Sequence, residues 1–172
     1  TMITPIIVIF IVGLYSTVTI ARNRDWKDGL TLWSKTVKSS PGSSIAHGGL
    51  GSAYQELGRL DEAVEEYKRA IAIYQDDYKA HYNLGVVYDQ QGLLDPAIQS
   101  YQRSIQANPT YPNAHFNLGI IYQKQGLMDE AIGHFRKVTE LDLLDYEARN
   151  NLGVAFAMQG NLDSALAEWE KV

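Results

Sequence analysis

The chain has 172 residues, 45% of them hydrophobic and 20% charged, the composition of folded protein rather than of a disordered segment. Its net charge of -5 comes without a basic stripe, which argues against nucleic acid as a partner. There is no cysteine, so disulfides, zinc fingers and thiol catalysis are excluded and the redox compartment is left open.

At the N-terminus, Ile3 to Ala21 carry no charge and are nearly all apolar. As a helix these nineteen residues span about 28 Å, close to the thickness of a bilayer core. Thr4 can cap that helix and Pro5 fits its first turn. Tyr15 lies near one end, and Arg22 and Arg24 follow at once, as at a membrane–water interface. Residues 1–22 therefore read as a transmembrane helix. A cleaved signal peptide fits less well, because no basic segment precedes the stretch and no small-x-small cleavage site stands out. A helix buried in an assembly, as in pilin-like subunits, is a third reading. It lacks the glutamate that pilins carry near the start of that helix.

From residue 44 onward the chain repeats itself every 34 residues. Gly51, Gly85, Gly119 and Gly153 form one series, and Gly58, Gly92, Gly126 and Gly160 a second. Ala46, Ala80, Ala114 and Ala148 keep the same step, as do Ala63, Ala97, Ala131 and Ala165. The aromatic series is Tyr67, Tyr101, Phe135 and Trp169. Such a period implies stacked helical hairpins, an all-α solenoid, and arrays of this kind bind other chains more often than they do chemistry. The units are 44–77, 78–111, 112–145 and an incomplete 146–172.

The unit from Tyr78 to Thr110 has the clearest grammar. Helix A contains Ala80, Leu84, Gly85 and Tyr88, and Gly92 ends it. Asp95 is expected to cap helix B with Pro96 in its first position, and Asp61, Asp129 and Asp163 to cap its counterparts. Ala97, Ile98, Tyr101 and Ile105 form the buried stripe of helix B, and Asn108-Pro109 stops it. Gly85 and Ala97 let the two helices approach closely. Tyr101 is expected to fill the groove to the next hairpin.

Shifting back by one period maps Tyr67 onto Trp33, Ala63 onto Gly29 and Gln75 onto Pro41. Asp28 to Lys38 thus reads as a lone helix B inside a cryptic half repeat, 23–43, whose partner is the end of the membrane helix. At the other end Val172 falls inside a helix B and no polar capping helix follows, while the first residue is Thr1. Both ends read as those of a piece of a longer protein.

The pattern A-x-x-x-L-G-x-x-Y, followed by G, A, Y/F and P at fixed offsets, resembles the tetratricopeptide repeat (TPR) family over residues 44–172. The resemblance implies a right-handed α-solenoid of helical hairpins behind the N-terminal transmembrane helix. The fourth copy departs in two places: Asp142-Leu143 replaces the Asn108-Pro109 stop, and Arg149 replaces the histidine found at 47, 81 and 115. The junction Arg22-Asn23-x-x-Trp26-x-Asp28-x-x-x-Leu32-Trp33 resembles the tail of multi-pass, O-mannosyltransferase-like membrane glycosyltransferases that end in such repeats. Their catalysis sits in loops between earlier membrane helices, and no such loop is present here.

Residue patterns that carry chemistry elsewhere have plainer readings here. His47, His81 and His115 recur one hairpin apart, about 8–10 Å at least, which is too far to share one metal ion. They read as half-buried polar residues of helix A. Gly48-Gly49-Leu50-Gly51 lacks the lysine and strand of a phosphate loop. Asp61, Glu62, Glu65 and Glu66 read as an exposed acidic face with Lys68 and Arg69 one turn on. No nucleophile–base constellation appears, so neither a catalytic residue nor a cofactor or metal is expected.

Asn83, Asn117 and Asn151 precede the Leu-Gly pair of three successive A helices, with Gly49 at that position in the first full repeat. They resemble the asparagine ladder of O-linked N-acetylglucosamine transferases, which implies amides that pair with the backbone of an extended peptide. The bland alternative is a structural hydrogen bond between adjacent helices. The groove around them would include Lys79, Tyr82, Val86, Asp89 and Gln90, then Asn113, Phe116, Ile120, Gln123 and Lys124, then Glu147, Asn150, Val154 and Met158. Without a lysine cluster it does not suit acidic C-terminal tails. It suits an extended, fairly neutral peptide or a partner helix.

The sequence therefore leads to a membrane-anchored scaffold that binds protein through this groove. One alternative is a module that presents acceptor proteins to a glycosyltransferase. Another is a structural subunit that packs its apolar helix in a filament or membrane complex. Arg22, Arg24 and Lys27 favour repeats on the cytoplasmic side. The junction resemblance favours the extracytoplasmic side, which the reading adopts.

Overall fold

The structure is a computed structural model and describes residues 29–171. The membrane-helix expectation at residues 3–21, the flanking basic residues and most of the junction run lie outside the described residues. Among the described residues, no helix is long and apolar enough to cross a membrane.

The described chain is helical throughout, in two compact units divided between Ile73 and Tyr74. The first unit holds α1 (Gly29–Ser39), α2 (Ser44–Glu56) and α3 (Leu60–Ile73). The second holds α4 (Tyr78–Gln90), α5 (Leu94–Ala107), α6 (Pro112–Lys124), α7 (Met128–Leu141), α8 (Tyr146–Met158) and α9 (Leu162–Trp169). Within the second unit each helix packs on the next, so α4/α5, α6/α7 and α8/α9 are hairpins in a stack.

One glycine–aromatic contact recurs in every hairpin. A Cβ on Gly85 would lie 2.7 Å from the Tyr101 ring, and one on Gly119 would lie 2.6 Å from that of Phe135. Gly51 meets Tyr67, and Gly153 meets Trp169, in the same way. The helix B aromatic therefore seats in a notch on helix A of its own hairpin, a contact in addition to the expected one with the following hairpin. Tyr101 does reach onward as well, into a core with Ala114, Leu118 and Ile121 of α6. Phe135 likewise joins Leu152 and Ala155 of α8. Tyr67, Tyr101 and Phe135 are wholly buried, and burying rings of this size is a leading contribution to such a core.

In the first unit Trp33 of α1 packs onto Gly49 of α2. Gly49 stands at the asparagine-ladder position, and the indole occupies the space an asparagine side chain would need.

The turns differ from the expected caps. Gly92 has φ +74°, its N–H donates to the Asp89 carbonyl at 2.9 Å, and the Leu93 N–H donates to the Tyr88 carbonyl at 2.8 Å. This is a Schellman closure, which needs a left-handed residue that only glycine adopts without penalty. Because that closure ends at Leu93, helix B begins at Leu94. Asp95 and Pro96 are then the second and third helical residues, and the N-cap is Leu93, with no side-chain cap bond. Asp61, Asp129 and Asp163 sit likewise inside the first turn, and in α9 the cap is Asn161, whose side chain accepts from the Ser164 N–H. The aspartates thus act on the helix dipole rather than as caps. Side-chain capping belongs mainly to the A helices: Ser43, Asp77 and Asp145 accept from Ala46, Ala80 and Ala148.

Candidate functional site

An open cleft of about 190 Å³ crosses the A helices of three successive repeats in the second unit. Tyr82 of α4 forms one wall. Pro112, Asn113, Phe116 and Asn117 of α6 form the floor, and Val138 of α7 with Asp145 and Glu147 at the start of α8 form the far side. The helical spacing of 113, 116 and 117 places these side chains on one face of α6. Tyr82 is held by Tyr111 and Tyr101, with ring centroids 5.2 and 5.8 Å away, and Phe116 leans on Phe135 at 5.8 Å. The aromatic walls are therefore preset by ring packing.

The amides are spoken for on their donor side. Asn117 Nδ2 donates to the Tyr101 hydroxyl at 3.1 Å and lies 3.5 Å from that of Tyr82. Asn113 Nδ2 donates to the Tyr111 hydroxyl at 3.4 Å. Burial pushes the Tyr82, Tyr101 and Tyr111 phenols above their ordinary pKa, and the asparagine bonds offset part of that. Asn151 behaves differently. Its Nδ2 donates to the Glu147 carbonyl one turn back at 2.9 Å, because Phe135, at the position equivalent to Tyr101, has no hydroxyl.

Five of the expected groove residues meet in the cleft: Tyr82, Asn113, Phe116, Asn117 and Glu147. Pro112, Val138 and Asp145 complete it. Asp145, the N-cap of α8, is not among the expected residues although an aspartate just before a helical stretch is a cap signal, and Val138 belongs to a B helix and gave no signal. The others do not line the cleft. Asn83, Asp89 and Val154 are half-buried, while Gln90, Lys124 and Asn150 are exposed. Val86 and Ile120 pack against the hydrophobic cores. Lys79 Nζ lies over the Tyr78 ring at 5.9 Å. Gln123 Nε2 reaches the Met158 sulfur at 3.6 Å, linking α6 to α8.

The recurring histidines hold hairpins together. His47 Nε2 meets the Pro41 carbonyl at 3.1 Å and its Nδ1 meets Glu66 at 2.6 Å. Glu66 is buried and also pairs with Arg69, so it is not part of an exposed acidic face as expected. Glu62 and Glu65 do keep surface pairs, with Arg59 and Lys68. His81 Nε2 meets the Gln75 carbonyl at 2.9 Å. His115 meets the Pro109 carbonyl at 3.2 Å and His134 at 3.0 Å. Arg149 donates to the Leu143 carbonyl and to Glu168. Among the described residues no three metal-ligating side chains converge.

A model of the TPR repeat matches residues 51–92 and 90–126, and a tetratricopeptide repeat model matches 113–172. No curated protein sequence matches the chain. Among solved structures, a crystal structure of MamA is 25% identical with a TM-score of 0.78, covering 88% of each chain. YrrB, a TPR protein with an unusual peptide-binding site, is 26% identical with a TM-score of 0.68, covering 92% of this chain and 79% of its own. The chain belongs to the tetratricopeptide repeat family.

Proposed function

We propose that this chain is a TPR scaffold that binds a partner protein through an extended peptide laid across its A helices. The observation that carries the reading is the cleft, in which residues of three successive A helices converge around two preset aromatic rings. An elongated site of this kind suits a peptide whose side chains drop into it at intervals. The peptide-binding site of YrrB supports the reading. The apolar stretch at residues 3–21 supports attachment to a membrane, and the junction run supports repeats on the extracytoplasmic side.

A pulldown from solubilised membranes tests the binding. Tyr82→Ala with Phe116→Ala should lose the partners that the unaltered chain retains, with helical content unchanged. Retention of the same partners by a folded double variant would sink the groove reading. Fractionation tests the attachment: deletion of residues 3–21 should move the protein out of the membrane pellet.

A further inference from the structure

The cleft is rich in acceptors and poor in donors. Its charged lining residues are Asp145 and Glu147, with no lysine or arginine among them. Glu147 is exposed and forms no salt bridge among the described residues. Asp145 Oδ1 accepts the Ala148 N–H at 2.8 Å, and Oδ2 is not part of that cap. Asn113 and Asn117 have turned their Nδ2 groups to tyrosine hydroxyls, which leaves their Oδ1 atoms as acceptors. Pro112, the first residue of α6, brings no N–H to the floor. The helix ends that would ordinarily favour an anion are thus capped, blocked or overlaid with carboxylate.

Resting on the groove reading above, we propose that the cleft takes an arginine side chain of the extended partner peptide. Arginine carries a planar cation that stacks on aromatic faces, here Tyr82 and Phe116, and five N–H donors for Glu147, Asp145 Oδ2 and the asparagine oxygens. Lysine offers a point charge with no plane to stack. The volume of about 190 Å³ suits one long side chain and is below the usual size of a small-molecule pocket.

Selection of random octapeptides on the full, folded chain tests this, with Phe116→Ala and Glu147→Gln as parallel baits checked for unchanged helical content. The expected result is enrichment of arginine at one peptide position, lost on the Phe116→Ala bait. Affinity of the selected peptides should fall about fivefold on Glu147→Gln. Replacing the peptide arginine by norleucine should cost as much on the unaltered chain and little on the Glu147→Gln variant. Peptides that depend on Phe116 but show no basic position would overturn the arginine assignment and leave the groove reading standing. Finding no peptide that depends on Phe116 would overturn both.

Discussion

His115 and His134 face each other through their Nδ1 atoms, 3.0 Å apart, between helix A and helix B of one hairpin. The Pro109 carbonyl can only accept, so His115 Nε2 carries a proton, its Nδ1 is the acceptor, and His134 Nδ1 is the donor. The same register, nineteen residues apart, joins His47 to Glu66 and Arg149 to Glu168. In each hairpin the first member also binds the carbonyl six residues before it. One address therefore ties helix A, helix B and the preceding turn together, and its chemistry varies from repeat to repeat.

Arg149 should be replaceable by histidine but not by leucine. Arg149→His restores the pairing that His47 makes with Glu66 in the first hairpin. Arg149→Leu strands the Leu143 carbonyl and leaves the half-buried Glu168 carboxylate with only its surface partner Lys171, at a cost of about 1–2 kcal/mol. Urea midpoints measure both. Equal losses for the two variants would show that the register tolerates no exchange.

The histidine pair should make the repeat acid-sensitive. Burial, and then the nearby His115, lower the His134 pKa from its ordinary 6.5 to about 4, and burial lowers that of His115 too. Between those values the unfolded chain binds more protons than the folded one, so stability rises with pH. The contribution is complete above about pH 6.5 and is lost as pH falls toward 4. His134→Gln keeps a neutral donor for His115 Nδ1 without that titration. Urea midpoints from pH 7 to 4.5 should therefore fall further for the unaltered chain than for His134→Gln. Parallel curves would remove the pair as the cause.

Gly119→Ala should destabilise the chain by about 1–3 kcal/mol through overpacking. Its new Cβ would lie 2.6 Å from the Phe135 ring, which is fully buried and cannot withdraw. Thermal unfolding checks this against Gly133→Ala, where a Cβ meets nothing within 4 Å. Similar midpoints for the two variants would contradict the notch.

That glycine notch explains why the fold could be read from residue spacing. Gly119 and Phe135 must co-occur at a fixed distance, as must Gly85 and Tyr101, so the packing rule is written as a period. The nineteen-residue register left no such trace. Its second member is Glu66, His134 or Glu168, while Ser100 at that position turns to the Pro96 carbonyl of its own helix, and no single residue type recurs to be seen. The helix B caps depart from the sequence pattern for a related reason: the Schellman turn at Gly92 sets the start of α5, and the conspicuous Asp95 takes what remains. In the cleft, Phe116 and Asn117 were visible from helical phase, whereas Val138 arrives from another helix by tertiary packing alone.

The asparagine ladder should divide into unlike members when truncated. Asn117 spans two repeats, since its Nδ2 bonds the hydroxyl of Tyr101, whose ring is buried in α5. Asn117→Ala removes that partner and should lower stability by about 1 kcal/mol. Asn151 bonds only a carbonyl of its own helix, which already lies in the α8 ladder, so Asn151→Ala should change stability by about 0.5 kcal/mol or less. A second comparison isolates the hydroxyl. Tyr101→Phe keeps the ring in its glycine notch and deletes only the acceptor, so it should cost about as much as Asn117→Ala, and the double variant little more than either alone. Unfolding by guanidinium of the four chains gives the coupling. Full additivity would mean the Asn117–Tyr101 bond holds nothing, and the amide would then be free for a bound peptide.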